Sequence, residues 1–464
     1  MSQVLTKKHK KDNKKDKQNK DIKTKKNKSL QYKNENYKIY HYNNGAKMIL
    51  IPEKKFKSML ITFTFKIGSK YEPIELSGIS HFLEHMLFKG TKKYPNHKII
   101  NTLLDSNGID FNAYTNNNVT GYYFKCLPND EKLKLTLKIA YEMLFKSLIR
   151  QKDINIERNV IIQEYNDMID NPNHYIDELI DNLAFKGHVL SQSVIGNVKS
   201  INNVDRKNLC YFYEKYYHPK NLFISVSGNI PYNFMKLLNE HFIHSKIKKQ
   251  FIYNKPLSLF PYKNISLKLE DRILIKEKKM EQNQLCLLFN TDGLYDENIN
   301  SYRLIANILG GNMSSRLFVK IREEMGLAYS IDCNLTNYQE SGCFIIYTKV
   351  EPQKTLECLS AIIREIKKLS KTIKTKELNS NKVNYIDIFK TEFDNLNNIN
   401  EYYDNQFLFM PSIELPEDRI KKINKITLDN IKQLSNNLFK KENLKVLCYG
   451  QCKYNEIKNI CEKF

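Results

Sequence analysis

The chain has 464 residues, 41% of them apolar, and a formal net charge of +23. That length is too great for one hydrophobic core and suits two or three domains, and no apolar run reaches the roughly 20 residues that span a bilayer. Nine scattered cysteines without a CxxC pair suggest neither a zinc ribbon nor a disulfide framework, so most should be small core residues in a reducing compartment.

Residues 1–36 hold thirteen lysines against four acids, so +9 of the net charge sits there. With almost no apolar residues this stretch is expected to be a disordered, solvated basic tail. It has no Arg, carries Asp12, Asp16 and Asp21, and lacks both an amphipathic stripe and an apolar h-region, so it reads as neither transit peptide nor secretory signal. An intracellular, cytoplasmic site is expected, with the mitochondrial matrix as the alternative. The competing reading of the tail is weak attraction to nucleic acid or anionic lipid. Heavy use of Lys, Asn and Ile throughout suggests a compositional bias, which weakens any functional reading of the charge, and nucleic acid is not expected as a partner.

Residues 78–91 read GISHFLEHMLFKGT. Ile79, Phe82, Leu83, Met86, Leu87 and Phe88 describe a buried helix, with Gly90 as its stop. His81, Glu84 and His85 interrupt it, and burying three ionisable groups costs several kcal/mol without compensation. On a helix His81 and His85 lie one turn apart on one face, with Glu84 on its edge. Two imidazoles so placed can hold one zinc ion while the carboxylate takes a proton from water. The order H-x-x-E-H is the inverted zinc-peptidase signature.

Next comes a strand hairpin over 108–128, then long helical segments over about 130–170. Within ERNVIIQEYNDMI, residues 157–169, Glu157 and Glu164 are seven apart. Two turns separate them, so they point the same way as Val160, Ile161 and Met168, on an apolar face where a carboxylate needs a metal or a histidine beside it. A helix, a turn and a strand ending at Gly228 follow from Ile201. Residues 245–268, with Pro256 and Pro261, read as a linker. A second hairpin over 326–352, helices over about 353–395 and a second helix–turn–strand from Ile423 complete the chain.

The two helix–turn–strand stretches match without gaps at an offset of 222: Ile201/Ile423, Asn202/Asn424, Asn208/Asn430, Asn221/Asn443, Leu222/Leu444 and Gly228/Gly450. With the two hairpins, this marks a tandem duplication. The expected fold is α+β, with two homologous domains (37–244 and 269–464), each a mostly antiparallel sheet packed with helices.

HFLEHMLFKGT followed by a glutamate pair closely resembles the mitochondrial processing peptidase–pitrilysin–insulinase family of zinc metallopeptidases, in its short two-domain form. The resemblance runs from about residue 37 onward, with a slightly long spacing from His85 to Glu164 that points to a small insertion. It implies a processing-peptidase-like metallohydrolase fold and a zinc endopeptidase acting on extended, unfolded peptides. His81, His85 and Glu164 would be the ligands of one Zn2+ per chain, Glu84 the general base, and Glu157 a carboxylate supporting a ligand. In FNAYT, Asn112 and Ala113 match the backbone-contacting positions of a substrate-binding edge strand. Phe88 matches an aromatic lining, and Arg322 and Tyr329 match a pair that steadies substrate and oxyanion. Asp177 partly matches the acidic residues that read a substrate arginine. The resemblance further implies a homodimer or a heterodimer with a related chain. The alternatives are a non-catalytic scaffold subunit and, last, a nucleic-acid-binding protein. At single positions, Arg322 and Tyr329 as an ion pair and a core tyrosine, Glu157 as an ion-pair partner, and Asn112 and Ala113 as plain strand residues stay open.

Overall fold

The computed structural model describes residues 36–243 and 267–464, together with the backbone of two short strands at Ile22–Lys23 and Leu30–Lys33. Most of the tail and most of the 245–268 linker lie outside the described residues. Two sheets carry the fold, and its class is the α+β one expected. The first has β1 (Ile22–Lys23), β2 (Leu30–Lys33), β3 (Lys38–His41), β4 (Lys47–Pro52), β5 (Met59–Phe65), β6 (Asp110–Thr115), β7 (Thr120–Cys126) and β8 (Leu222–Gly228). The second has β9 (Ile273–Glu277), β10 (Asn283–Thr291), β11 (Ala328–Asn337), β12 (Gly342–Val350) and β13 (Leu444–Gly450).

The strand orders are β1-β2-β3-β4-β8-β5-β7-β6 and β11-β12-β10-β13-β9. Read from β4, the first sheet runs β4-β8-β5-β7-β6; read from β9, the second runs β9-β13-β10-β12-β11, which is the same plan. The parallel pair falls in the same place in both, β4 with β8 and β9 with β13, and the other pairs are antiparallel.

The helices that matter below are α1 (Ile79–Leu87), α2 (Gln151–Asp170), α3 (Pro172–Ala184), α4 (Arg206–Tyr216), α5 (Ile299–Gly310), α6 (Thr375–Glu392), α7 (Leu396–Phe409) and α8 (Leu428–Leu438). The offset of 222 that aligns the two sequences also aligns α4 with α8 and β8 with β13, end to end. Its matched residues do matched work. Asn221 Nδ2 donates to Tyr216 O at 3.0 Å and Lys66 O at 3.5 Å, and Asn443 Nδ2 donates to Leu438 O and Asn290 O, both at 3.0 Å. Each amide satisfies a carbonyl at a helix end and ties it to a neighbouring strand. Gly228 and Gly450 hold φ of +99° and +143°, where a side chain is strained, and a Cβ on either would lie within 2.5 Å of a neighbouring oxygen.

The duplicated halves do not fold as two uninterrupted blocks. Among the described residues, one compact unit comprises 36–161, 199–243 and 395–411, and the other 162–198, 267–394 and 412–464. The continuous domains expected at 37–244 and 269–464 are thus modified by a reciprocal exchange, in which α3 goes to the second unit and α7 to the first. The chain turns at Asn171, which caps α3 by accepting from Asn173 N, with Pro172 opening the helix. The apolar stripe of α3, Ile176, Leu179, Ile180 and Leu183, then covers Cys286, Leu288, Ile345, Leu447 and Tyr449 on the second sheet. Lys445 Nζ at 2.5 Å and Asn290 Nδ2 at 3.0 Å bind the terminal carbonyl of Ala184.

In the first unit α7 meets a polar sheet face. Side chains of β5 alternate: Phe63 stacks on Phe242 at 4.7 Å and Phe65 packs on Tyr217 at 4.3 Å, while Thr62 and Thr64 face the other way. With Ser225 and Ser227 these are buried, and Asn400 joins Thr62, Ser225 and Ser227 at 3.1 Å each. Thr64 donates to Asp404.

Cysteine usage departs from expectation at one place, because Cys448 and Cys452 form a disulfide. Turning the chain at Gly450 brings the two together, which scattered spacings do not reveal. Cys126, Cys286, Cys333, Cys343, Cys358 and Cys461 are free and buried, as small core residues. Among the described residues no helix is long and apolar enough to cross a membrane.

Candidate metal centre

Helix α1 is fixed at both ends. Gly78 precedes it in the left-handed region at φ +94°, and the carboxylate of Glu72 accepts from Gly78 N at 2.6 Å and Ser80 N at 2.8 Å. An anion there complements the helix dipole, yet burial still pushes the Glu72 carboxyl up to about 7. At the far end Gly90, φ +131°, leaves room for the backbone of Pro95. Ile79, Phe82, Leu83, Met86 and Leu87 are wholly buried, which holds the third face of the helix, that of His81, Glu84 and His85, in one orientation.

The start of α2 is held against α1 and neighbouring segments by Arg150, just before it, by Arg158 and by a buried acid. Arg150 donates from Nη1 to Pro95 O at 2.9 Å and from Nη2 to Lys89 O at 2.8 Å. Arg158 binds the carbonyls of Ile201 at 2.6 Å and Val204 at 2.8 Å, with its guanidinium over the ring of Phe82 at 5.7 Å. Between them Glu157 is 3% exposed, with Oε2 lying 3.1 Å from His85 Nδ1 and Oε1 paired with the Lys89 ammonium. Burial alone would raise the Glu157 carboxyl, but the hydrogen bonds from His85 and Lys89 bring it below the usual carboxylate range.

Two turns on, α2 carries Glu164 to the imidazoles. Ligand atoms of His81, His85 and Glu164 all lie within 4.8 Å of one another. Glu164 rides on the same uninterrupted helix as Glu157. Its setting differs from the expected apolar face: Ile161 is fully buried, whereas Glu164 is exposed and Val160 is 45% exposed. The helix face that is dry around Glu157 opens to solvent by Glu164, as a centre that must admit water requires.

The donor set fits zinc. His81 is held neutral, burial and then the His85 charge lowering its pKa to about 3, and a metal takes the neutral imidazole. Glu157 on His85 Nδ1 leaves Nε2 as the donor atom, the usual arrangement of a carboxylate behind a metal-binding histidine. Two imidazoles and a carboxylate leave one tetrahedral position open. Among the described residues this is the one such group of His, Cys, Asp and Glu.

Comparison with known proteins bears on this geometry. The profile of the family described as Insulinase (Peptidase family M16) matches residues 47–198, and that of the Peptidase M16 inactive domain matches 203–384. The chain belongs to the M16 peptidase family. It is 33% identical over 346 residues to a zinc protease of Rickettsia bellii, covering 74% of this chain and 81% of that one. It is 29% identical over 405 residues to the Bacillus subtilis zinc protease YmxG, covering 87% and 95%. The crystal structure of a protease from Helicobacter pylori shares the fold, with a TM-score of 0.80 at 20% identity over 89% of this chain and 99% of that one.

In this M16 chain the second half keeps the helix pair without the metal groups. There α5 carries Arg303, Ala306 and Asn307, and the described residues of that half form no metal-ligating group. Asn307 Nδ2 donates to Asn381 Oδ1 at 3.0 Å and Asn384 Oδ1 at 3.1 Å on α6.

The remaining expected residues are placed as follows. Phe88 is half-buried, its ring centre 6.2 Å from that of Phe111 and 6.1 Å from that of Tyr122. Asn112 and Ala113 lie on β6, the edge strand of the first sheet, with Asn112 Oδ1 accepting from Ala113 N at 2.9 Å. Arg322 and Tyr329 lie in the second unit and touch, the guanidinium 4.8 Å from the Tyr329 ring centre, with Tyr329 77% exposed. Asp177 is exposed on α3, also in the second unit. Sequence reasoning missed Glu72, Lys89, Arg150, Arg158 and Thr115. Thr115 closes the FNAYT motif, and its hydroxyl donates to Glu84 Oε2 at 2.6 Å.

Proposed function

We propose that this protein is a zinc-dependent endopeptidase that hydrolyses extended, unfolded peptides. The observation that carries the reading is the meeting of His81, His85 and Glu164 within 4.8 Å, beside a buried Glu84. One zinc ion held by these three would act as a Lewis acid toward water and the scissile carbonyl. Glu84 takes the proton from the attacking water and returns it to the leaving amine. Glu157 orients His85. The substrate lies extended along β6, adding its backbone to the free side of that strand past Asn112 and Ala113, with Phe88 lining the residue after the cut. Arg322 and Tyr329 steady the substrate and the developing oxyanion, and Asp177 faces basic substrate side chains. The working unit is a dimer, with a second copy or a related chain, inside the cell.

The test is metal analysis and cleavage of an unstructured peptide. Purified protein should carry about one zinc per chain, and Glu84→Gln should keep the metal and lose turnover. A Gln variant as fast as the parent contradicts the mechanism, and a parent without metal or turnover favours a scaffold subunit.

A further inference from the structure

We infer that Thr115 is a positioning residue that sets the orientation of the Glu84 carboxylate. The inference rests on the proposed base role of Glu84.

Glu84 is 8% exposed, so little water is available to orient its carboxylate. Thr115 reaches it from the end of β6, with Oγ1 2.6 Å from Glu84 Oε2. An ionised carboxylate only accepts, so the hydroxyl must donate. Its single proton has one competing acceptor, Thr120 Oγ1 at 3.4 Å, and the shorter contact takes it. Thr120 is committed elsewhere, donating to Ile67 O at 2.9 Å.

The consequence is directional. A glutamate carboxylate turns easily about its last bond, and either oxygen can face the reacting water. The Thr115 hydroxyl restricts that turning by holding Oε2 toward β6. A charge-assisted hydrogen bond of this length is the strong kind. The same strand that is proposed to align the substrate then also aligns the base, so base and scissile bond share one reference.

The experiment compares Thr115→Val, which keeps the shape and loses the hydroxyl, with Thr115→Ser, which restores it. The Val variant should keep its zinc content, its unfolding temperature and KM, and lose about ten- to a hundred-fold in kcat. The Ser variant should return kcat to within about threefold of the parent. Crystal structures of parent and variants supply a second readout that needs no turnover: the Glu84 carboxylate should be single in the parent and the Ser variant, and rotated or split in the Val variant. Parental kcat, or an unmoved Glu84, in the Val variant overturns the positioning role while leaving the base reading intact. Parental turnover in Glu84→Gln overturns the base reading and the positioning role with it.

Discussion

His85 Nδ1 lies 3.1 Å from Oε2 of Glu157, whose other oxygen is paired with Lys89. The ring is therefore held in one tautomer and at one angle before a metal arrives, and Glu157 stays ionised because two donors offset its burial. Glu157→Gln should keep the fold, since a glutamine oxygen can still accept, but should weaken zinc binding by about 10- to 100-fold. Competition with a chelator of known affinity measures this, and unchanged affinity would show that Glu157 is only an ion-pair partner.

The polar face under α7 makes a prediction about stability. Asn400 meets three buried hydroxyls. Asn400→Ala strands Thr62, Ser225 and Ser227 with an unfilled space, and should destabilise the fold by about 2–4 kcal/mol in urea unfolding. Zinc content at low temperature should not change.

Asp404 gives a pH dependence of definite sign. Burial pushes its carboxyl up from 3.8 to about 7, the Thr64 hydrogen bond lowering it and Glu401 raising it further. The folded state then keeps a proton that the unfolded chain releases near pH 4. Stability from this group is complete below about pH 4 and falls as the pH rises toward 7, by about 1.4 kcal/mol per unit within that window. Asp404→Asn should be more stable than the parent at pH 8 and little different at pH 4. A variant whose stability tracks the parent across this range would refute the assignment.

The amide link of the second half predicts an asymmetry. Asn307→Ala removes bonds to Asn381 and Asn384 and should cost about 1–3 kcal/mol of stability without altering zinc content. Loss of zinc in that variant would mean that the second helix pair takes part in metal binding.

Much of the fold was legible because duplication prints the same pattern twice. Asn221 and Asn443 were visible as identical letters and proved to be the same helix-end brace. The exchange of α3 and α7 was not legible, because an apolar stripe specifies that a helix is covered but not which of two similar sheets covers it. At the site, the i, i+4 histidines and the seven-residue glutamate spacing put two pairs of side chains on one face each of two helices, and the family resemblance implied that those faces meet. Glu164 departed from expectation in exposure, since the helical wheel gives direction and not the depth of what lies around it. Thr115 and Glu72 were invisible for a related reason: each acts across a long loop or a strand, at no fixed spacing from the residue it holds. The Cys448–Cys452 bridge depends on a local turn that no spacing rule describes.

The central claim is that one zinc ion joins His81, His85 and Glu164. X-ray diffraction from crystals of the purified protein, collected on either side of the zinc absorption edge, tests it most directly. The account predicts a single strong anomalous peak per chain, about 2 Å from a nitrogen of each histidine and from a Glu164 oxygen. Crystals with no such peak after growth in zinc, or a peak on other residues, would contradict it.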